Sequence, residues 1–334
     1  MQYKNLGKSG LKVSRICLGT MMFGDQTEFA EARDIVSDAR QAGINFIDTA
    51  DVYSRGKSEE MVGRLIGEDR QNWVLATKVG NPMEPKDPLS GGLTRRWVHQ
   101  AVRDSLERLG TRWIDVYYLH CPDADTPIME TLSALKELLD AGLIRYWALS
   151  NFRAWQIAEA FAAASVLRMP PPVACQPYYN AMNRMPEVEV LPACAHFGIG
   201  VVPYSPLARG VLTGKYDPAA TAPSDTRAGR GDKRMLESEF RKESMEIAQE
   251  IKKYAETQGT TPVAWACAWL LANRTISSIL AGPRTFSQWQ GYKEALDYEW
   301  KTADEAFLDA RVPAGHPSTP GFTDPRYPLT GRPV

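Results

Sequence analysis

Residues 114–150, IDVYYLHCPDADTPIMETLSALKELLDAGLIRYWALS, hold one complete repeat of the fold. IDVYYLH (114–120) is a β-branched and aromatic run of strand length. Leu132, Leu135, Leu138 and Leu139 then recur at intervals of three and four, the spacing of an amphipathic helix. Gly142 supplies a helix stop, and IRYWALS (144–150) reads as a second strand. A strand, a helix and a strand in this order predict two parallel strands joined by a crossover helix.

The pattern repeats outward in both directions. Strand-like runs occur at ICLGT (16–20), FIDTA (46–50), VLATKV (74–79), VACQPYY (173–179), GVVPYSP (200–206) and ISSILAG (276–282). Phe29, Ala32, Ile35, Val36 and Ala39 mark another amphipathic helix, and Gly43, Gly110 and Gly198 are further stops before strands. Eight β-then-α repeats predict a closed (β/α)8 TIM barrel, whose usual length of about 250 residues leaves a surplus in a chain of 334. Residues 1–14, turning at Gly7-Lys8-Ser9-Gly10, read as a hairpin capping the barrel bottom. Tyr216 to Arg234 reads as a long loop after strand seven, Glu239 to Gln258 as an extra helix, and Val312 to Val334 as a proline-rich tail. No linker is evident, so residues 1–334 are expected to form a single domain. A doubly wound sheet is disfavoured because no glycine-rich turn follows the first strand. Gly7-Lys8-Ser9 does not rescue it, since a phosphate loop would need a glycine where Gln2 stands.

Composition narrows the partners. With 39 basic and 40 acidic residues the net charge is -1, which offers no general field for nucleic acid or an anionic membrane. The expected partner is a small molecule. The longest apolar stretch, Val263 to Ala272, is about half of the roughly 20 residues a spanning helix needs, and MQYKNLGKSG at the start has no apolar core. A cytoplasmic protein, monomeric or a small homo-oligomer, is expected. Five scattered cysteines without a Cys-x-x-Cys pair read as reduced thiols, and four histidines without metal-ligand spacing predict no metal site. Trp265 and Trp269, four apart, read as a buried helix face.

In a barrel the C-terminal ends of the strands converge on one face. Those ends are Gly19-Thr20, Asp48 with Tyr53 beyond it, Lys78, His120, Ser150-Asn151, Gln176, Tyr204-Ser205 and Gly282. Each of Asp48, Tyr53, Lys78 and His120 alone is more simply a cap, a surface ring or a packed side chain. Together they make a chemistry. A lysine ammonium beside a tyrosine favours the phenolate and is expected to lower that pKa, easing proton donation. Asp48 would hold the ammonium, and His120 would orient a substrate oxygen. A carbonyl polarised in this way accepts hydride. Ser205 precedes proline without a Gly-x-Ser-x-Gly elbow, so a hydrolase triad is not expected.

The runs NFIDTADVYS (45–54), TKVG (77–80), DVYYLHCPD (115–123), LSN (149–151), QPYYN (176–180) and YSPLARGVLTGKY (204–216) resemble the aldo-keto reductases. The likeness is greatest to the longer-chain branch that includes bacterial reductases and potassium-channel beta subunits. The resemblance implies a barrel that binds NADP(H) without a Rossmann motif, an oxidoreductase activity reducing an aldehyde or ketone to an alcohol, and a tetrad at Asp48, Tyr53, Lys78 and His120. It implies cofactor contacts from Gly19, Thr20, Met21 and Asp48 near the nicotinamide ribose, Ser150, Asn151 and Gln176 on the carboxamide, and Tyr204 against the nicotinamide ring. Ser205, Leu207, Arg209, Gly210, Leu212 and Lys215 would surround the pyrophosphate, and Gly282, Arg284 and Gln288 the adenosine end. Two positions depart from the family pattern. Tyr292 stands where many relatives carry an asparagine that reads adenine, which suggests stacking instead, and Ala148 replaces a glycine.

Phe23, Val52, Asn81, Phe152 and the tail beyond Val312 are candidate pocket walls. Arg227, Arg230, Lys233 and Arg234 form either a solvated loop or a belt over the cofactor phosphates. The same nucleotide pocket would also serve a regulatory subunit with little turnover, and the tetrad does not separate the two functions. A barrel hydrolase or isomerase is a third reading, opposed by the scarcity of histidines and the Asp48–Lys78 pairing.

Overall fold

All eight strand runs enter one sheet. The computed structural model describes residues 1–325, in which a hairpin of β1 (Tyr3–Asn5) and β2 (Lys12–Ser14) comes first. The sheet strands are β3 (Ile16–Gly19), β4 (Phe46–Asp48), β5 (Val74–Val79), β6 (Ile114–Leu119), β7 (Ile144–Ser150), β8 (Ala174–Gln176), β9 (Gly200–Val201) and β10 (Ile279–Ala281). Their order is β10-β3-β4-β5-β6-β7-β8-β9, with every pair parallel. Val201 also bridges in parallel to Ile276, and Ser277 N donates to Val201 O at 2.9 Å, so the last strand meets the chain entering β10 and the sheet closes. This is the (β/α)8 barrel expected from the repeats.

The chain divides into two compact units. One contains Met1–Pro177, Glu189–Tyr204 and Arg274–Gln290, and the other contains Tyr178–Val188, Ser205–Asn273 and the described residues from Gly291 onward. In the first unit helices Phe29–Gln41, Lys57–Ile66, Arg95–Arg108, Ile128–Asp140, Ala154–Val166 and Val190–Phe197 follow β3 to β8 in turn. The helix predicted from the leucine spacing buries Leu132, Leu135 and Leu138, as its period requires.

The hairpin caps the bottom of the barrel as anticipated. Leu6 and Val13 are fully buried in one cluster with Cys17, Phe46, Val116 and Ala174 from the strands. Gly7 has φ +60°, and a Cβ there would lie 2.7 Å from Gly198 O, Gly200 N and Val173 O, at the N-terminal ends of β8 and β9. No side chain fits against three backbone atoms at that distance. Gly7→Ala is therefore expected to destabilise the protein by about 1–3 kcal/mol, read as a lower midpoint in urea unfolding; an unchanged midpoint would mean that the plug is not under such constraint.

Several boundaries differ from the sequence reading. β9 has only two residues: Val202 N and Tyr204 N still donate to Cys175 O and Pro177 O at 2.9 and 3.0 Å, but Pro177 and Pro203 lack the N–H groups that would complete the pairing on either side. The expected helix at 239–258 is Lys242–Thr257, preceded by a separate helix, Lys233–Ser238, that begins at the end of the predicted loop. Asp232 starts that helix by accepting from Met235 N at 2.9 Å.

The second unit has its own core. Trp265 and Trp269 are buried there, and Trp265 Nε1 donates to Asp304 Oδ1 at 3.2 Å. Arg184 pairs with Glu187 at 3.0 Å and Asp309 at 2.6 Å. The tail from Val312 is described as far as residue 325, and its remainder lies outside the described residues. Cys17, Cys175, Cys194 and Cys267 are buried thiols, and Cys121 is partly exposed. No helix among the described residues is long and apolar enough to cross a membrane.

Candidate active site

Strand register places the candidate groups. Asp48 ends β4 opposite Ala76 of β5, and Lys78, two residues further along β5, projects from the same face as Ala76. Lys78 Nζ donates to Asp48 Oδ1, to Thr49 O at 2.6 Å and to Tyr53 Oη at 3.3 Å. Gln176, at the end of β8, donates from Nε2 to the other Asp48 oxygen at 3.0 Å. His120 follows β6 directly, and its ring meets the Tyr53 ring edge-on with centroids 5.9 Å apart. The four sequence-predicted residues are thus brought together within the barrel unit.

Their electrostatics corrects one expectation. Asp48 and Lys78 are almost wholly buried, 1% and 0% exposed, whereas Tyr53 is half-buried. Burial works against the Lys78 ammonium, but Asp48 and Tyr53 outweigh it and hold its pKa above the ordinary value. Burial lifts the Asp48 carboxyl, and Lys78 and Gln176 pull it back. Burial also raises the Tyr53 pKa, and Lys78 only partly offsets this, with Asp48 adding to the rise. Burial is the largest of these effects and follows from packing rather than from the lysine–tyrosine pairing, and the Asp48 carboxylate opposes the field of the ammonium as well. Tyr53 is accordingly a neutral phenol with its proton in place and a cation ready to meet the phenolate.

The segment around Tyr53 is fixed from below. Ser58 Oγ donates to Thr20 O at 2.8 Å and lies 2.9 Å from the hydroxyls of both Thr20 and Thr49, tying helix Lys57–Ile66 to the ends of β3 and β4. Between Tyr53 and that helix the chain takes three left-handed residues, Ser54 (φ 48°), Arg55 (φ 55°) and Gly56 (φ 88°). Two of these are not glycine, a conformation held only by its surroundings. A Cβ on Gly56 would lie 2.6 Å from Arg108 Cδ, whose guanidinium passes beneath to Glu59. None of Ser58, Glu59 or Arg108 was singled out from sequence, although the acidic pair after Ser58 is a helix-start signal.

A second polar chain runs across β7 and β8. Ser150 Oγ donates to Gln176 O at 3.0 Å, and Asn151 Nδ2 donates to His120 O at 2.8 Å and to Ser150 Oγ at 3.1 Å. Tyr204 Oη donates to Asn151 Oδ1 at 2.8 Å. Asn151 has φ 65°, a strained position that turns its amide back toward the strand ends. Buried amides and hydroxyls beside a tyrosine ring suit a planar ring carrying a carboxamide, since they offer both donors and acceptors. The donor set in this unit therefore fits the nicotinamide end of a dinucleotide.

The other candidate positions divide between the units. In the barrel unit Gly19 and Thr20 are buried at the end of β3, and Met21 is exposed. Gly282 and Gln288 are exposed, Arg284 N donates to Gln288 Oε1 at 2.9 Å, and Arg284 O accepts from Thr27 Oγ1 at 2.8 Å. Phe23 is fully buried and presents no surface, so it is not the pocket wall expected. Phe152 is almost fully buried as well.

In the second unit, Ser205, Ala208, Arg209 and Gly210 all have positive φ, forming a tight turn with Leu207 and Leu212 packed inside. Gly210 would direct a Cβ to within 3.5 Å of Lys215 Nζ. Burial lowers the Arg227 pKa, and the charge of Arg209 adds to this, so two guanidiniums repel each other there. An anion would relieve that repulsion. Tyr292 is buried in the same unit.

Residues 15–310 match the family model described as the aldo/keto reductase family. An Arabidopsis thaliana protein described as a probable voltage-gated potassium channel subunit beta is 40% identical over 305 residues, covering 89% of this chain and 92% of its own length. A rice (Oryza sativa subsp. japonica) protein of the same description is 37% identical over 303 residues, with the same coverage. With a family match that runs from the chain just ahead of β3 to the end of the helix at Thr302–Asp309, and relatives this similar over most of their length, the chain belongs to the aldo/keto reductase family.

Proposed function

We propose that the protein is an NADP(H)-dependent carbonyl reductase acting on a small aldehyde or ketone, with residues 1–334 working as one domain. The observation that carries this reading is the Tyr53 hydroxyl held 3.3 Å from the buried Lys78 ammonium, which Asp48 neutralises. When bound, the nicotinamide supplies a hydride to the carbonyl carbon. Tyr53 donates its proton to the carbonyl oxygen as negative charge develops there, and Lys78 stabilises the phenolate left behind. His120 orients the oxygen, and Asp48 keeps the ammonium charged and in place. Ser150, Asn151 and Gln176 hold the carboxamide and Tyr204 stacks on the ring. Ser205, Leu207, Arg209, Gly210, Leu212 and Lys215 hold the phosphates, and Gly282, Arg284, Gln288 and Tyr292 the adenosine.

The preference for NADP(H) rests on Arg284, a guanidinium suited to a 2′-phosphate. Arg284→Ala is expected to weaken NADPH binding by about 1–3 kcal/mol more than NADH binding, the worth of a charge-assisted hydrogen bond. Fluorescence titration of both nucleotides decides it. Equal losses for both would remove the assignment.

The names of the two plant relatives favour a second reading, a nucleotide-binding regulatory subunit of a voltage-gated potassium channel with little turnover. Repeated turnover with a small aldehyde supports the reductase. Tight NADPH binding with negligible turnover supports the subunit.

A further inference from the structure

The turn that carries Tyr53 contains a second buried carboxyl outside the proton-donating group. Asp51 is 1% exposed. Its N–H donates to Lys78 O at 3.3 Å, and its Oδ1 accepts from the N–H of Val52, the residue before Tyr53, at 2.6 Å. Its Oδ2 has no hydrogen-bond partner among the described residues. Glu59, on the following helix, is fully buried too, but both of its oxygens are satisfied. Oε1 accepts from Thr77 Oγ1 at 2.6 Å, and Oε2 accepts from Arg108 Nε at 2.7 Å.

The groups whose charge acts on Asp51 are Glu59, Arg108 and Lys78, and Asp51 in turn acts on Tyr53 and Tyr117. Arg108 is engaged by Glu59, and Lys78 by Asp48. Among the described residues Asp51 is thus the carboxyl left without a cation, in a place where Tyr117 is also buried with an unpartnered hydroxyl. An ionised carboxyl with one bare oxygen is costly in such surroundings, whereas the acid form carries no charge and keeps Oδ1 on Val52.

We propose that Asp51 is a positioning residue that works as a neutral carboxylic acid, and that release of its proton to solvent slows carbonyl reduction by placing an unpaired negative charge behind Tyr53 and Lys78. The second half rests on the reading of Tyr53 as the proton donor. Burial first, and Glu59 second, push the Asp51 carboxyl up to about 8. A negative Asp51 raises the Tyr53 pKa further, making the phenol a weaker acid. Reduction is therefore expected to fall as pH rises through that value, before Tyr53 itself loses its proton.

Two readouts test this, one of them free of cofactor and substrate. A carboxyl whose pKa is raised on folding stabilises the fold at low pH, and that contribution is lost as pH rises from the ordinary value of 3.8 to about 8. Asp51→Asn keeps the acceptor for Val52 N and removes the titration. In urea unfolding, the ratio of variant to wild-type folding constants should climb with pH by up to about tenfold per unit and level off above about pH 8. A ratio that stays constant would overturn the neutral acid. Should the variant fail to fold, 13C NMR of wild type labelled at aspartate carboxyls takes its place: an aspartate titrating near pH 8 supports the proposal and none overturns it.

In single turnovers with NADPH and benzaldehyde, wild type should lose rate above about pH 8. Asp51→Asn should not, so that the ratio of its rates at high and neutral pH exceeds that of wild type by about five- to tenfold. Parallel profiles would overturn the switch. Absence of any reduction by wild type would defeat the functional reading and the switch together, while the unfolding profiles would still score the protonation state.

Discussion

Replacing Tyr53 by phenylalanine is expected to slow carbonyl reduction by about 100- to 10,000-fold, the usual contribution of a general acid, while NADPH affinity changes little. The ring stays, so its edge-on contact with His120 and its place over Lys78 persist. Only the hydroxyl 3.3 Å from the ammonium is lost. Single-turnover hydride transfer measured beside a cofactor titration separates chemistry from binding and from product release. Transfer at near the wild-type rate would place the acid elsewhere, with His120 the leading candidate.

Lys78→Met is expected to match that loss in rate and to add a loss of stability. Methionine preserves much of the volume but leaves the Asp48 carboxylate, 1% exposed, without its cation. Among the described residues Gln176 alone remains as side-chain donor to it. Breaking a buried ion pair by removing one partner costs about 3–5 kcal/mol, and the phenolate formed on proton transfer loses its stabilising charge as well. Urea unfolding and single-turnover reduction should both fall. A variant as stable as wild type would mean that Asp48 is protonated in the native state, and a variant that reduces normally would remove Lys78 from the proton transfer.

Much of this was legible in the sequence because the barrel converts position into proximity. Asp48, Lys78 and Gln176 sit at or next to strand ends, so locating the strands located them, and the glycine stops located the strands. The ends themselves were harder. The run at 200–206 reads as a strand, yet regular pairing ends after two residues because Pro203 and, on the neighbouring strand, Pro177 have no N–H to donate. What supports Tyr53 was not legible. The left-handed path through Ser54, Arg55 and Gly56 turns helix Lys57–Ile66 so that Ser58 reaches Thr20 and Thr49 and Glu59 reaches Arg108, and no local periodicity encodes that path. The acidity of Tyr53 was misjudged for a related reason. A lysine next to a tyrosine in a list of strand ends suggests a lowered pKa, but the outcome depends on burial and on the Asp48 charge, which are properties of the packed site.

The Asp48–Lys78 pair also shows why burial alone does not identify the chemistry. A buried pair with good hydrogen bonds is a weak source of stability compared with a well-packed apolar pair of similar volume. Its place at a strand end, in contact with a half-buried hydroxyl, is better accounted for by the charge it presents to Tyr53.

The most direct test of the account follows NADPH absorbance when purified wild-type protein meets a panel of small aldehydes and ketones, with NADPH affinity titrated on the same preparation. The account predicts tight NADPH binding and many equivalents of cofactor oxidised per protein with at least one aldehyde. Tight binding with no consumption beyond a single equivalent across the whole panel would contradict it and leave the regulatory-subunit reading in its place.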